Sequence, residues 1–356
     1  MARGVAPWPC PTSSARFGAG PRCPSVTHAG LWGLGLDNEV MTTSLRLVIF
    51  SPEAPSSSSV LEAAGAAISA RGGAFVETAV GAPEGLTAAA WDVQTNDEGA
   101  EALRAAVREH TGDEEAAFLV PAHLLGAGRC LLVTDVDSTL IEQEVIEMLA
   151  AHAGREAEVA AVTERAMRGE LDFAQSLHHR VEALRGLPVR LIEEVASRVT
   201  PTAGAEELVA AAHAHGHTVG AVSGGFIQIL EPLAERLGLD HAHANVLGVR
   251  DGVLTGTVEG EVVDRAAKKR SLRAWAASDG VRLEDTIGMG DGANDLDLLT
   301  AAGLGVAVQP KPALRAAADA VLGLRRLDTV AAALGWSTAG WSAATVRTSA
   351  GIHTQP

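Results

Sequence analysis

The sequence has no tyrosine, and its aromatic content is six tryptophans and six phenylalanines. Alanine is abundant instead, a bias that says little about function. Three cysteines, Cys10, Cys23 and Cys130, are too few and too scattered for a disulfide framework or a zinc site. Although 47% of the chain is hydrophobic, no uninterrupted apolar run approaches the ~20 residues that cross a bilayer. Basic residues are in deficit, 28 Lys and Arg against 44 Asp and Glu. The resulting net charge of −16 argues against nucleic acid or an anionic membrane as partner. A cytoplasmic setting fits these absences best. At 356 residues the chain is long enough for two or three domains with a real core.

Residues 1–43 carry no periodic apolar face, and their short Gly30–Leu36 stretch is no secretory h-region. They are expected to be disordered or an over-long start, with Met41 as the initiator. From Ser44 the pattern becomes regular. Strands are expected at Leu45–Phe50, Ala74–Val80, Leu86–Val93 and Ala116–Val120, with helices at Ser59–Arg71 and Asn96–His110. That βαββαβ order predicts a ferredoxin-like unit over residues 44–125.

Residues 126–336 alternate strands and helices, the signature of a doubly wound α/β domain with a parallel sheet. Helix formers dominate 142–200, with Val145, Ile146, Leu149 and later Leu177, Val181, Leu184 at helical spacing. This predicts a helical cap inserted in the sheet. Asp251-Gly252 between two apolar runs predicts a tight hairpin. Residues 337–356 are expected to be a flexible tail. His213-x-His215-x-His217 straddles a helix end and a strand start, so its rings are expected to diverge at the surface.

Four stretches carry chemistry. Leu131–Thr134 is a short apolar run expected to be a buried parallel strand, and Asp135-Val136-Asp137-Ser138-Thr139 follows it at once. Ligand crevices of open parallel sheets lie beyond the strands' carboxyl ends. Two carboxylates held there can divide the work of nucleophile or metal ligand and general acid. A D-x-D pair in isolation is more often a polar strand end. A calcium loop is excluded, because Leu140 and Ile146 stand where such a loop needs Gly and Glu.

Val222-Ser223-Gly224-Gly225-Phe226 offers a hydroxyl and backbone N–H groups at a helix start, which suits a phosphate. Lys268 can bring a compact cation to a phosphoryl oxygen. Gly290-Asp291-Gly292-Ala293-Asn294-Asp295 combines small residues with two carboxylates able to hold or orient a hard cation.

In this order, the four stretches resemble the motifs of the haloacid dehalogenase (HAD) superfamily. With Glu144 and Thr163–Phe173 they are most similar to its phosphoserine phosphatase family, over roughly Leu131 to Leu334. The resemblance implies a HAD-like core with a helical cap, and likens the N-terminal unit to an amino-acid-binding (ACT-like) domain, a site for dimerisation or a small effector. It makes Asp135 the nucleophile and Asp137 the general acid and base. Mg²⁺ would be held by Asp135, Asp291 and the carbonyl of Asp137, with Asp295 orienting that set. Ser223, Gly224, Lys268 and Asn294 would hold the phosphoryl oxygens. Glu144 would meet the ammonium and Arg180 the carboxylate of O-phosphoserine, with Met167 and Phe173 as apolar lining. The implied reaction is hydrolysis of phosphoserine, the last step of serine biosynthesis. A phosphotransferase passing phosphate to homoserine, and a non-catalytic amino-acid sensor, are the rival readings.

Overall fold

The computed structural model describes residues 43–55, 58–167, 170–336 and 342–344. All fall in one compact unit, Asn38–Pro356. The expectations for residues 1–42, Met41 included, lie outside the described residues. The chain begins with β1 (Thr43–Ser51), α1 (Ser59–Arg71), β2 (Ala74–Thr78), β3 (Val80–Ala82), β4 (Thr87–Thr95), α2 (Asp97–His110) and β5 (Ala116–Pro121). After β6 (Leu131–Thr134) come α3 (Val145–Ala153), α4 (Glu156–Met167), α5 (Phe173–Glu182) and α6 (Arg190–Ala196). Then follow α7 (Ala205–Ala214), β7 (Thr218–Phe226), α8 (Ile227–Leu237), β8 (His241–Arg250) and β9 (Val253–Glu259). The core closes with α9 (Arg265–Asp279), β10 (Thr286–Gly290), α10 (Leu296–Ala301), β11 (Leu304–Val308), α11 (Pro312–Arg315), β12 (Ala320–Leu322) and α12 (Asp328–Ala333). A short β13 (Ser342–Ala344) lies beyond it.

Local chemistry explains most boundaries. The Ser58 hydroxyl accepts from Val60 N at 3.2 Å to start α1, and Asn96 accepts from Gly99 N at 2.8 Å to start α2. Asp172 and Gln175 form a reciprocal capping box on α5. Asp251 (φ 51°) and Gly252 (φ 76°) both take positive φ, as the tight turn between β8 and β9 demands.

Eleven of the described strands form one sheet in the order β2-β4-β1-β5-β12-β11-β10-β6-β7-β8-β9. β12, β11, β10, β6, β7 and the first half of β8 run parallel, and β6, β10, β11 and β12 are buried throughout. The chain leaves β6 toward β7 on one side and returns to β10 on the other, so the switch point sits at the end of β6.

The antiparallel order β2-β4-β1-β5, with α1 against α2, is that of a ferredoxin-like unit. The boundary expected near residue 125 does not divide the sheet, because β5 pairs antiparallel with β12 through Phe118↔Ala320. Along β1, Leu47 and Ile49 join one apolar cluster while Val48 and Phe50 join the other, the period-2 alternation of a two-sided strand.

Two expectations are corrected. Ala74–Val80 is not one strand but two, and β3 turns away to pair with β13. Within the expected tail 337–356, the described Ser342–Ala344 are a paired strand rather than a loose segment.

The histidine run also differs from expectation. His213 pairs with Asp240 at 2.9 Å, but His217 is buried, 6% exposed, against Trp336. Its Nδ1 accepts the Cys130 N–H at 3.1 Å, just before β6, which requires that nitrogen to be unprotonated. Burial, then His215 and Arg129, push its pKa down to about 4. The unfolded imidazole takes a proton below ~6.5, so stability is complete above that pH and falls as pH drops from 6.5 toward 4. His217→Asn keeps an acceptor without the titration. Its loss of stability between pH 7 and 4.5 should be smaller than that of the parent by about 1–3 kcal/mol in urea melts. Equal losses would show that His217 is not the acid-sensitive group.

Candidate active site

The site is built at the end of β6. Asp135 N–H donates to Met289 O of β10 at 2.9 Å, which fixes the first residue beyond the strand. The Asp135 side chain is 3% exposed, and its Oδ1 accepts from Val136 N at 2.7 Å and lies 2.7 Å from Lys268 Nζ. Lys268, on the first turn of α9, lies 2.6 Å from Asp295 Oδ1 as well. α9 is placed by Asp264, whose carboxylate caps it through Ala267 N at 2.7 Å. The other Asp295 oxygen receives the N–H groups of Asp291 at 3.3 Å and Gly292 at 3.2 Å. Asn294 Nδ2 is 3.5 Å from Asp135 Oδ2.

Burial, then Asp295, pushes the Asp135 carboxyl well above its usual range, and Lys268 opposes that shift. Burial pulls Lys268 down, but Asp135 and Asp295 outweigh it and hold the ammonium charged. Carboxylate oxygens of Asp135, Asp291 and Asp295 all lie within 4.8 Å of one another. An all-oxygen, carboxylate-rich set suits a hard divalent cation. Three carboxylates share the single buried ammonium of Lys268, so the residues fit a divalent metal ion. Among the described residues no other group of three His, Cys, Asp or Glu side chains is so placed.

Asp137 faces the opposite way. Its Oδ1 accepts from Val145 N at 2.8 Å and its Oδ2 from Ser223 Oγ at 2.9 Å. Burial raises its pKa, against the bonds from Val145 and Ser223. Gly225 has to be glycine, since a Cβ there would stand 2.7 Å from Asp137 Oδ2. Ser138 takes a left-handed backbone (φ 57°), and its hydroxyl donates to Glu144 Oε1 at 2.8 Å. Burial, then Asp137, raises the pKa of Glu144. Arg180 is partly desolvated beside Glu144 and Asp137.

One cleft is lined by Asp135, Asp137, Glu144, Phe173, Arg180, Gly224, Asp291 and Asn294. The cap supplies Phe173, near enough to the core that a Cβ on Gly224 would lie 3.0 Å from its ring. Ser223 and Lys268 are both 1% exposed and lie behind the wall, the serine hydroxyl turned to Asp137 rather than to the cleft. The side chain of Met167, at the end of α4, lies outside the described residues.

Sequence reasoning missed three participants. Asn245 is fully buried and ties Gly224 O to Val263 N at 2.8 Å each, but it belongs to no motif. Lys311 lines the cleft with its Nζ 3.1 Å from Asp291 Oδ2, from a loop between β11 and α11 that resembles any solvated turn. Ile146 sits in the cleft wall, although its helical spacing gave it only a core role.

Comparison with known proteins places this arrangement. The model of the haloacid dehalogenase-like hydrolase family matches residues 132–300. The phosphoserine phosphatase of Streptomyces coelicolor is 52% identical over 234 residues, covering 64% of this chain and 57% of that protein. This chain thus spans little more than half that relative's length. The phosphoserine phosphatase of Methanocaldococcus jannaschii is 46% identical over 200 residues, 56% of this chain and 95% of that protein. A solved phospho-aspartyl intermediate analogue of a phosphoserine phosphatase superposes with TM-score 0.53 at 45% identity, covering 56% of this chain and 96% of that one. With these matches, this chain belongs to the phosphoserine phosphatase family of haloacid dehalogenase-like hydrolases.

Proposed function

We propose that this protein hydrolyses O-phospho-L-serine to L-serine and phosphate through an aspartyl-phosphate on Asp135. The observation that carries the reading is the division of labour at the end of β6. Asp135 is bound to Lys268 and faces the acidic cluster, whereas Asp137, two residues on, is held by Ser223 and Val145. An Asp135 oxygen attacks phosphorus and the phosphorus–ester oxygen bond breaks, with the Asp137 proton passing to the departing serine oxygen. Asp137 then takes a proton from the water that attacks the aspartyl-phosphate, which restores Asp135 and releases phosphate.

Asn294, the Gly224 amide and Lys268 would stabilise the phosphoryl oxygens, and Ser223 would join them by exchanging its bond to Asp137. Mg²⁺ would be held by the carboxylates of Asp135 and Asp291 and the carbonyl of Asp137, with Asp295 orienting the set. When bound, it supplies the positive charge that lets an anionic nucleophile meet an anionic phosphate.

Glu144 and Arg180 face the same cleft with opposite charges, as the ammonium and carboxylate of an amino acid require, and Phe173 covers the apolar part. Glu144→Gln should lower kcat/KM for phosphoserine roughly ten- to a hundredfold, the worth of one charge-assisted hydrogen bond in a closed site. Phosphoglycolate, which lacks the amine, should change much less. Both assays run with Mg²⁺ and again with chelator, which should silence each. An equal fall on both esters would remove the basis for phosphoserine as substrate.

The N-terminal unit we read as an amino-acid-binding and dimerising module, on the strength of its β2-β4-β1-β5 strand order and of β2 lying at the sheet edge among the described residues. A cytoplasmic location accords with the absence, among the described residues, of a helix long and apolar enough to cross a membrane.

A further inference from the structure

The catalytic turn between Asp137 and Glu144 is held by a residue that never touches the cleft. Ser138 sits in a left-handed conformation that a serine does not choose unaided. Its N–H donates to Gln143 O at 3.1 Å and its hydroxyl to Glu144 Oε1 at 2.8 Å. Its carbonyl accepts from the Arg325 guanidinium, whose other nitrogen lies 3.5 Å from Glu142 O. One side chain thus spans both ends of the turn that carries Asp137 and Glu144. The Arg325 Nε is buried without a hydrogen-bond partner among the described residues, so the side chain is drawn in at a cost that the carbonyl contacts must offset.

Arg325 is itself rigidly aimed. It follows β12, where the N–H groups of Gly323 and Leu324 both donate to Glu115 O, at 2.8 and 3.0 Å. Gly323 has to be glycine, because a Cβ would collide with Gly112 O at 1.9 Å. The next residue, Arg326, grips Asp328 at 2.6 Å and Glu84 O at 3.3 Å. The loop is therefore pinned to the N-terminal unit on one side and to α12 on the other, and Arg325 projects from it to the turn.

We infer that Arg325 is a positioning residue for the reaction, fixing the Ser138 turn so that the Asp137 carboxyl and the Glu144 carboxylate face the substrate. The inference rests on the phosphatase reading above. A guanidinium reaches two carbonyls through a planar fork, whereas an ammonium can serve only one at a time. Displacing a catalytic group by an ångström is enough to cost orders of magnitude in rate.

The test uses the full chain with Mg²⁺, phosphoserine and phosphoglycolate, and the variants Arg325→Met, Arg325→Lys and Glu144→Gln, each with its melting temperature. Arg325→Met should lower kcat roughly tenfold or more on both esters at saturation, because Asp137 serves both. It should also move the phosphoserine-to-phosphoglycolate ratio toward that of Glu144→Gln. Arg325→Lys, which can hold one carbonyl of the two, should recover only part of kcat. Wild-type kcat on both esters in Arg325→Met overturns the inference. So does a loss that merely follows the unfolded fraction and that Arg325→Lys fails to relieve. If Glu144→Gln leaves the ratio unchanged, the phosphoserine reading fails by itself, and kcat on phosphoglycolate still decides the role of Arg325.

Discussion

Asp135→Asn should reduce turnover on the order of 10⁴-fold or more, as loss of a covalent nucleophile does in other enzymes. The amide keeps the shape of the side chain, and its oxygen can still accept from Val136 N and Lys268, as Oδ1 does at 2.7 Å in each case. What it lacks is the charge and the basicity needed to attack phosphorus. The fold should survive, and with one buried carboxylate fewer beside Asp295 the melting temperature should not fall. Burst release of serine, seen when an acyl- or phosphoryl-enzyme accumulates, should vanish with it. Appreciable steady-state hydrolysis by pure Asp135→Asn protein would remove Asp135 from the mechanism.

Lys268→Met carries the largest expected effect on stability. The ammonium is 1% exposed and within 2.7 Å of two carboxylates, Asp135 and Asp295, themselves almost wholly buried. Removing one partner of a buried ionic group leaves the others uncompensated and costs about 3–5 kcal/mol. In a chain of this size that is a fall of roughly 4–7 °C in melting temperature. The loss should depend on pH in a definite direction. Without Lys268 the Asp135 carboxyl has a folded-state pKa raised further above its unfolded value. Stability is then retained at acid pH, where it is protonated, and lost as pH rises through that value. The gap between variant and parent should therefore be widest near pH 8 and narrow toward pH 5, and added Mg²⁺ should close part of it. A gap that is small or flat with pH would mean that Lys268 is not the counter-charge of the cluster. Turnover should also collapse, since Asp135 can no longer be held ionised and oriented.

Much of the site is legible locally. A β-branched run ending in D-x-D marks a strand whose end faces a crevice, because apolar residues must be buried and the first carboxylates beyond them must not be. Ser223-Gly224-Gly225 and the Gly290–Asp295 loop announce close backbone approach, and Gly225 and Gly290 do face side chains that a Cβ would strike. Caps at Asn96, Asp172 and Asp264 and the turn at Asp251-Gly252 depend on residues a few positions apart, so the sequence contains both partners.

What the sequence by itself determined is therefore the order of elements, the doubly wound core with its inserted helices, and the set of residues able to do phosphoryl chemistry. Tertiary structure alone decided how they are joined. The pairing of β5 with β12 unites residues some two hundred positions apart, and no local preference specifies which edge a strand will find. Lys268 is legible as a cation for a phosphoryl oxygen, but only the sheet brings Asp135 and Asp295 to it at the same buried point. His217 looked exposed because its burial comes from Trp336, far along the chain. Ser223, Asn245, Lys311 and Arg325 acquire their roles from contacts across the fold, where direction and distance rather than residue type decide which hydrogen bond is made.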